Sequence, residues 1–575
     1  MLALYRGEIE TGEQVVLGSV NALVAETIEN APGLQPQKQE ALKDALQLTG
    51  ADFNRLAPYM TRVVAILKRL NIRSVLNTDT DFLGIFYEAF LRYGYDNNAL
   101  GIVFTPRHIT RLAVDLLGAG PTDRVVDVAC GTGGFLVAAF DAMLGAAQSA
   151  ASVATVKESI YGFDTNPTVW ALSTLNMFFR GDGKSHIENA DCFEPESRAV
   201  VHRTATRAFL NPPFSQDEEP ERDFIDASMD ALAPEGTLGA VVYAGVFADD
   251  EHRVWRNEFL RRHTLLGMIS LPEDLFYPTA APTSLMLAQA HVPQSPNSTV
   301  FMARIWNDGF EKLKGRRIET DGDQLPEIRQ AFQAFRAGDE LESSLTTLVP
   351  GRSILQGQEW SPQQWLPQPI PSAGDLSRAQ QDIISSLFRA IARFPDLADE
   401  VLVDLAAPWE GLPDLPLGVS RSLEDLFEIR GGRSGGEKNY QEGTSPYVSS
   451  GDSTNSIVNL VEGVEAELFE NGGISLTAFG AAAIQPWPFM ARGNGGSAVR
   501  VLIPKFKMSL RDLVWFAAQI NLQRWRFFYA RMAIASRSRR LIVDTPPTPL
   551  PDDGLDIAGR IDALRNLLVT GVNLG

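Results

Sequence analysis

Apolar and polar positions divide the chain into four kinds of stretch. Residues 1–100 carry apolar side chains at helical spacing, clearest in Phe53–Leu70 and Phe82–Leu91, and predict a helical N-terminal domain. From about 101 to 310, short β-branched runs alternate with helix-length segments, the pattern of a mainly parallel sheet covered by helices. Residues 311–416 form a mixed connector, Pro-interrupted from Glu359 to Pro369 and helical over Leu376–Phe394. Between 417 and 550, glycine-rich turns (Gly431–Gly436, Gly472-Gly473, Gly493–Gly496) separate the short strand candidates Tyr447–Ser449, Ile474–Thr477 and Val499–Ile503, so a small β-rich domain is expected. A tail helix is expected over 551–575. The fold class is α/β, and no internal repeat is evident.

Polar residues recur where the apolar runs of the central segment end. Arg124-Val-Val-Asp127 leads through Val-Ala-Cys130 into Gly131-Thr132-Gly133-Gly134 and then an Ala-rich helix. Glycines there let the backbone approach a ligand and let the helix pack closely on the strand. A dinucleotide fold also has such a turn, but the G-x-G-x-x-G spacing is missing. The next acidic strand end, Asp164, lies 33 residues past Gly131, against the roughly 20 expected of a ribose-binding acid in that fold. Asp164 also stands where it can cap a helix opened by Asn166-Pro167, and both roles are compatible. Asp191 follows the strand candidate His186–Ala190, and Asn211 follows Ala208-Phe209-Leu210. In an open α/β sheet such strand ends line one crevice.

The last strand end is the most chemically pointed. In Asn211-Pro212-Pro213-Phe214, the Asn amide oxygen and a carbonyl of the Pro-Pro turn can together accept both hydrogens of a planar amino group. Phe214 supplies a face for stacking a base. The bland alternative is a proline-rich loop after a buried strand; four polar strand ends in order argue for a site.

Residues from roughly 80 to 290 resemble the modification subunits of type I restriction–modification systems, the γ-type N6-adenine DNA methyltransferases. The likeness rests on Asp81–Leu91, Phe104-Thr105-Pro106-Arg107, Asp127–Phe135, Gly162–Pro167, Asn176–Gly181, Leu232–Gly236, Val241–Tyr243 and Leu271–Phe276, in the family's order. Val128 stands where the family usually has Pro, which bears on loop rigidity more than on chemistry. The resemblance implies a Rossmann-like methyltransferase domain over 101–310 using S-adenosylmethionine. Asp127, Gly131, Thr132 and Gly133 would hold the methionine part, with Phe104 and Thr105 nearby. Asp164 would accept from the ribose hydroxyls and Asp191 from the cofactor's adenine amino group, with Phe193 beside that ring. Asn211 and the Pro212 carbonyl would take the target N6 hydrogens, Pro213 would shape the turn, and Phe214 would stack on a base turned out of the duplex. No metal is called for.

Composition fits an intracellular enzyme. The only cysteines are Cys130 and Cys192, too few for a disulfide framework. There is no H-E-x-x-H or Cys/His ligand cluster and no membrane-length apolar stretch. Met1-Leu-Ala-Leu-Tyr-Arg has no long apolar h-region, and a cytoplasmic location is expected.

A net charge of −20 sits awkwardly with DNA, whose backbone is bound by Lys and Arg. Yet from 492 to 540 eleven basic side chains face a single acid, Asp512, interleaved with Trp515, Phe516, Trp525, Phe527, Phe528 and Tyr529. That mixture suits a phosphate-tracking surface with stacking platforms, or a solvated helix face over an aromatic core. Ser422–Gly431, Ser445–Val448 and Gly473–Gly480 resemble pieces of a type I specificity subunit's target-recognition domain. This implies one DNA reader, at 417–550, fused to the methyltransferase. Arg430, Arg433, Lys438, Arg492, Arg524, Arg526, Arg531 and Arg537 are its candidate DNA contacts by charge. The expected partners are double-stranded DNA and either a restriction or defence-system protein or a second copy of the chain. A methyltransferase of RNA or protein amino groups, and a DNA-binding sensor without turnover, are the alternatives.

Overall fold

The computed structural model describes residues 13–30, 36–47, 69 and 104–572, except 179, 183, 215–218, 277–280, 314–315, 340–342, 357–358, 401–406, 452–453, 494–497, 529–530 and 552–555. The helical readings of Phe53–Leu70 and Phe82–Leu91 lie outside the described residues, apart from position 69, as does Tyr529. Two compact units divide the chain, residues 1–365 and 366–575.

The first unit is built on a nine-stranded sheet. Its strands are β1 (Val125–Asp127), β2 (Ile160–Asp164), β3 (His186–Asn189), β4 (Ala205–Leu210), β5 (Leu232–Tyr243), β6 (Thr264–Ser270), β7 (Thr283–Gln289), β8 (Thr299–Arg304) and, beyond a β9–β10 hairpin (Phe310–Leu313 with Arg316–Glu319), β11 (Thr346–Pro350). The order across the sheet is β11-β8-β6-β7-β5-β4-β1-β2-β3. Only β7 and β11 run against the rest, so the expected mainly parallel sheet is present. The central strands are apolar on both faces because helices cover both.

Helix α3 (Arg107–Leu117) buries Ile109, Leu112, Ala113, Val114 and Leu116 against α4 (Gly134–Ala146). Its period-3.6 apolar stripe is why it lies flat on the sheet. Phe135 of α4 stacks on Phe209 of β4 at 5.6 Å, tying the helix after the glycine turn to the strand before Asn211. Two N-terminal helices, α1 (Glu13–Glu29) and α2 (Pro36–Leu46), pack on one another, and α2 also meets α6 (Pro167–Phe178). There Lys38 Nζ donates to the Ser185 carbonyl at 2.7 Å, and its burial lowers its pKa from the ordinary lysine value.

The expected boundary at 310 falls inside this unit. Strand β11 pairs with β8 across Thr346–Pro350, and residues up to Trp365 fold with the sheet. The 311–416 connector is therefore split. Its first part completes the nine-stranded sheet and its second part, from Leu366, belongs to the second unit. The physical reason is that β8 would otherwise leave an unpaired edge, which β11 closes.

The second unit holds two four-stranded sheets, β13-β20-β17-β18 and β15-β14-β19-β16, and the two-stranded β12–β21. These strands are β12 (Ser420–Ser422), β13 (Phe427–Gly431), β14 (Glu442–Val448), β15 (Ile457–Val461), β16 (Leu468–Phe469), β17 (Gly473–Leu476), β18 (Ala482–Gln485), β19 (Phe489–Ala491), β20 (Arg500–Pro504) and β21 (Ile542–Asp544). Helices at Ala373–Arg393, Leu423–Leu426 and Leu510–Leu522 each start with a Ser-x-x-Asp box, at Ser372, Ser422 and Ser509. In each the Ser and Asp side chains satisfy each other's backbone N–H. A large apolar cluster that includes Trp409, Trp487 and Trp515 makes most of the unit's core, and Tyr447, Val461 and Met490 form a smaller one.

Candidate functional site at the carboxyl edge of the sheet

Neighbouring strands β3, β2, β1 and β4 run parallel and end on the same side of the sheet. Asp191 follows β3, Asp164 ends β2, Asp127 ends β1 and Asn211 follows β4. The sequence order of these residues scrambles this spatial row, and the strand order restores it.

The turn after β1 is held by its own polar groups. Asp127 is fully buried, and its Oδ1 accepts from the Ala129 N–H at 3.1 Å. Gly131 N–H donates to Asp164 Oδ2 at 3.0 Å, and Asn166 N–H donates to Asp164 Oδ1 at 2.9 Å. Asp164 thus braces the glycine turn and begins the next helix. Gly131 and Gly133 sit at φ of 55° and 81°, where L side chains are strained. A Cβ on Gly133 would come within 2.6 Å of Ser173 Oγ, whereas one on Gly131 would meet open space. The turn is thus packed shut on its helix side and open at Gly131. Asn176 Nδ2 reaches over from α6 to the Thr132 carbonyl at 3.2 Å. Ser173 and Asn176 support the turn; sequence reading placed Asn176 in a motif but gave neither residue a role.

Burial pushes the Asp127 carboxyl up to about 8, with the nearby Asp164 adding to the shift. Burial also raises Asp164, to about 6. Two acids held above their ordinary range would be relieved by a ligand bringing positive charge or hydroxyl donors. Burial pushes the Cys192 thiol up to about 12 and raises Cys130 as well, so neither is a ready nucleophile. Asp191 Oδ1 accepts from the Phe193 N–H at 2.8 Å, and Phe193 is half-buried with its ring edge-on to Phe224 at 4.9 Å.

At the other end of the row, Asn211 Nδ2 donates to Thr105 Oγ1 at 2.7 Å. Thr105 had been grouped with the cofactor, and in the structure its hydroxyl meets the Asn. Phe104 and Thr105 are half-buried, Pro212 is buried, and Pro213 and Phe214 are half-buried. Phe214 meets Phe276 edge-to-face at 5.7 Å. Phe276 stands in the Leu271–Phe276 motif, but its partnership with Phe214 is a tertiary contact with no local signal.

The DNA candidates separate by burial. Arg526 and Arg531 are buried. Arg526 donates to Gln523 Oε1 and to the Leu366 and Pro367 carbonyls, and Arg531 donates to the Arg526 carbonyl. Both are removed from the DNA-facing set, since a guanidinium engaged inside the fold cannot reach a phosphate. Trp515 and Phe516 are fully buried and Phe527 nearly so; they are core, as the solvated-face alternative had it. Arg430 is exposed but paired with Glu428 through two 2.8 Å bonds. Arg433 and Lys438 are exposed, and Arg492, Arg524 and Arg537 half-buried. Arg433 and Arg492 share one place, because Ser434 bridges to Arg492 and Gly432 packs on the backbone at 491–492.

Among the described residues there is no cluster of His, Cys, Asp and Glu that would hold a metal, and no helix long and apolar enough to cross a membrane.

Residues 78–347 match the N-6 DNA Methylase family model. The type II restriction enzyme and methyltransferase RM.BcgI of Heyndrickxia coagulans is 32% identical over 294 residues, 49% of this chain and 46% of that protein. The type I restriction enzyme MjaIX methylase subunit of Methanocaldococcus jannaschii is 24% identical over 289 residues, 45% of this chain and 50% of its own. The chain thus spans about half the length of these curated relatives. A solved type I R-M system structure, described for its complex assembly and conformational transition, superposes with a TM-score of 0.47 at 18% identity, covering 63% of this chain and 77% of that one.

Proposed function

We propose, from the match of residues 78–347 to the N-6 DNA Methylase family model, that the chain transfers a methyl group from S-adenosylmethionine to N6 of an adenine turned out of duplex DNA. One observation carries this reading: Asp191, Asp164, Asp127 and Asn211 stand in order at or just past the carboxyl ends of four adjacent parallel strands. Acceptors for an adenosine and its amino acid part lie at one end of the row, and an amide for the substrate at the other.

The residues fit the cofactor. The open side of Gly131 gives an extended ligand backbone room, and the raised carboxyls of Asp127 and Asp164 suit a cationic, hydroxyl-rich molecule. Asp164 would hold the ribose hydroxyls, Asp191 the adenine amino group, and Asp127 with the Gly131–Gly133 turn the methionine part. S-adenosylmethionine, when bound, supplies an electrophilic methyl on sulfonium.

The rest is done by the chain. Asn211 Oδ1 and the Pro212 carbonyl accept the two N6 hydrogens, which frees the nitrogen lone pair from the base's conjugation. Phe214, backed by Phe276, stacks on the flipped base. Holding nucleophile and methyl in line contributes much of the acceleration. The second unit would read duplex DNA through Arg433, Lys438 and Arg492 at the rim formed by the Gly431–Gly436 loop and Arg492, with Arg524 and Arg537 as further phosphate contacts. A restriction or defence-system protein, or a second copy, would complete the assembly.

Single-molecule sequencing of DNA from a methylation-free host expressing the chain, with Asn211→Ala as control, tests the reading. N6-methyladenine at one short motif, absent in the control, supports it. Methyl acceptance by RNA or protein and none by DNA overturns it.

A further inference from the structure

We propose that Thr105 is a positioning residue that holds the Asn211 amide in place by its Nδ2, an inference resting on the adenine-methylation reading above. An Asn side chain presents an acceptor on one side and a donor on the other, and only the acceptor is useful toward an amino group. With the amide reversed, its NH2 would meet the N6 amino group donor to donor. In the structure Nδ2 is taken up by Thr105 Oγ1 at 2.7 Å, so the same bond that occupies the donor turns Oδ1 to the other side.

Thr105 is well placed to act as a fixed reference. It precedes Pro106, which restricts its backbone to extended conformations, and its β-branched side chain has few rotamers. Pro106 is buried and its carbonyl accepts from Ile109 N–H at 3.0 Å and Thr110 N–H at 3.1 Å. The helix that follows is sunk into the core along its apolar stripe. Asn211 is equally anchored: it follows β4, which pairs with β1 and β5 on either side. Two rigid elements 106 residues apart in the chain are thus joined through one hydroxyl and one amide.

Thr105→Val removes the hydroxyl at nearly constant shape and tests this directly. The expected result is a loss of about 10- to 100-fold in the single-turnover rate of methyl transfer, of the size a misplaced catalytic group costs. The dissociation constant for S-adenosylmethionine and the melting temperature should stay near wild type, and Thr105→Ser should restore most of the rate. Should Thr105→Val fail to fold, Thr105→Ala, which adds no atoms, takes its place. A Val variant with wild-type rate, a cofactor affinity that falls in step with the rate, or a Ser variant as slow as Val would each overturn the assignment. Wild-type protein that methylates no DNA would instead overturn the underlying reading, and this inference with it.

Discussion

The carboxyl edge of the first unit's sheet and the 492–540 stretch of the second unit both stood out in the sequence as chemistry, and the fold treats them differently. At the sheet edge, the polar residues that end apolar runs stay together at the strand ends, Asp127 buried and Asp164, Asp191 and Asn211 half-buried, because strand ends are where a parallel sheet meets ligands. In the 492–540 stretch, Trp515, Phe516 and Phe527 went into the core and two arginines went with them, bonding to backbone carbonyls there. Position relative to a regular element carries functional information that composition does not. A run rich in Arg and Trp reads alike whether it faces DNA or packs against its own helices.

That contrast can be tested at both ends. The largest effect is expected from Asn211→Ala, which should lower methyl transfer by about a thousandfold or more, since it removes a contact made to the reacting nitrogen, with cofactor affinity nearly unchanged. A large loss of cofactor binding in isothermal titration would show that Asn211 belongs to the other end of the row. Next comes Arg526→Ala, which should destabilise the second unit by about 2–4 kcal/mol, because three acceptors lose a buried charged donor. Thermal or urea unfolding measures it. A stable variant with weakened DNA binding would return Arg526 to the interface.

A smaller effect concerns pH. Because burial raises Asp164 to about 6, the neutral carboxyl is the form the folded protein favours. Its contribution to stability is therefore present below the ordinary Asp pKa and fades as pH rises through about 6. Cofactor binding has the opposite sign, since ribose hydroxyls need the ionised acceptor. Affinity should rise about tenfold between roughly pH 5 and 7, and Asp164→Asn should flatten that rise. Titration calorimetry at several pH values would show it, and a pH-independent affinity would take Asp164 away from the ribose. The smallest effect is expected from Arg433→Ala or Lys438→Ala. Each should reduce the slope of log affinity for DNA against log salt by about one, with melting unchanged. An unaltered slope would move the reader away from the Gly431–Gly436 loop.

Much of the first unit was legible because its signals are local. A glycine turn that needs positive φ at Gly131 and Gly133 announces itself, and so do strands that end on Asp127 and Asp164 or just before Asn211. The short strands β14, β17 and β20 and the Ala373–Arg393 helix likewise fall where patterning put them, within a few residues. The domain limit near 310 was not legible, because closing an edge with β11 is a pairing between segments 40-odd residues apart, about which neither segment's own pattern speaks.

By itself, then, the sequence determined the elements, the glycine geometry and the residue types offered at each strand end, all set by backbone sterics and side-chain periodicity within short windows. Tertiary structure alone decided that Asp191, Asp164, Asp127 and Asn211 form one row, that Thr105 meets Asn211, that Phe276 backs Phe214, and that Arg526 is structural. Each of those depends on which distant surfaces pack together, and packing is settled by burial summed over the whole fold rather than by any one segment.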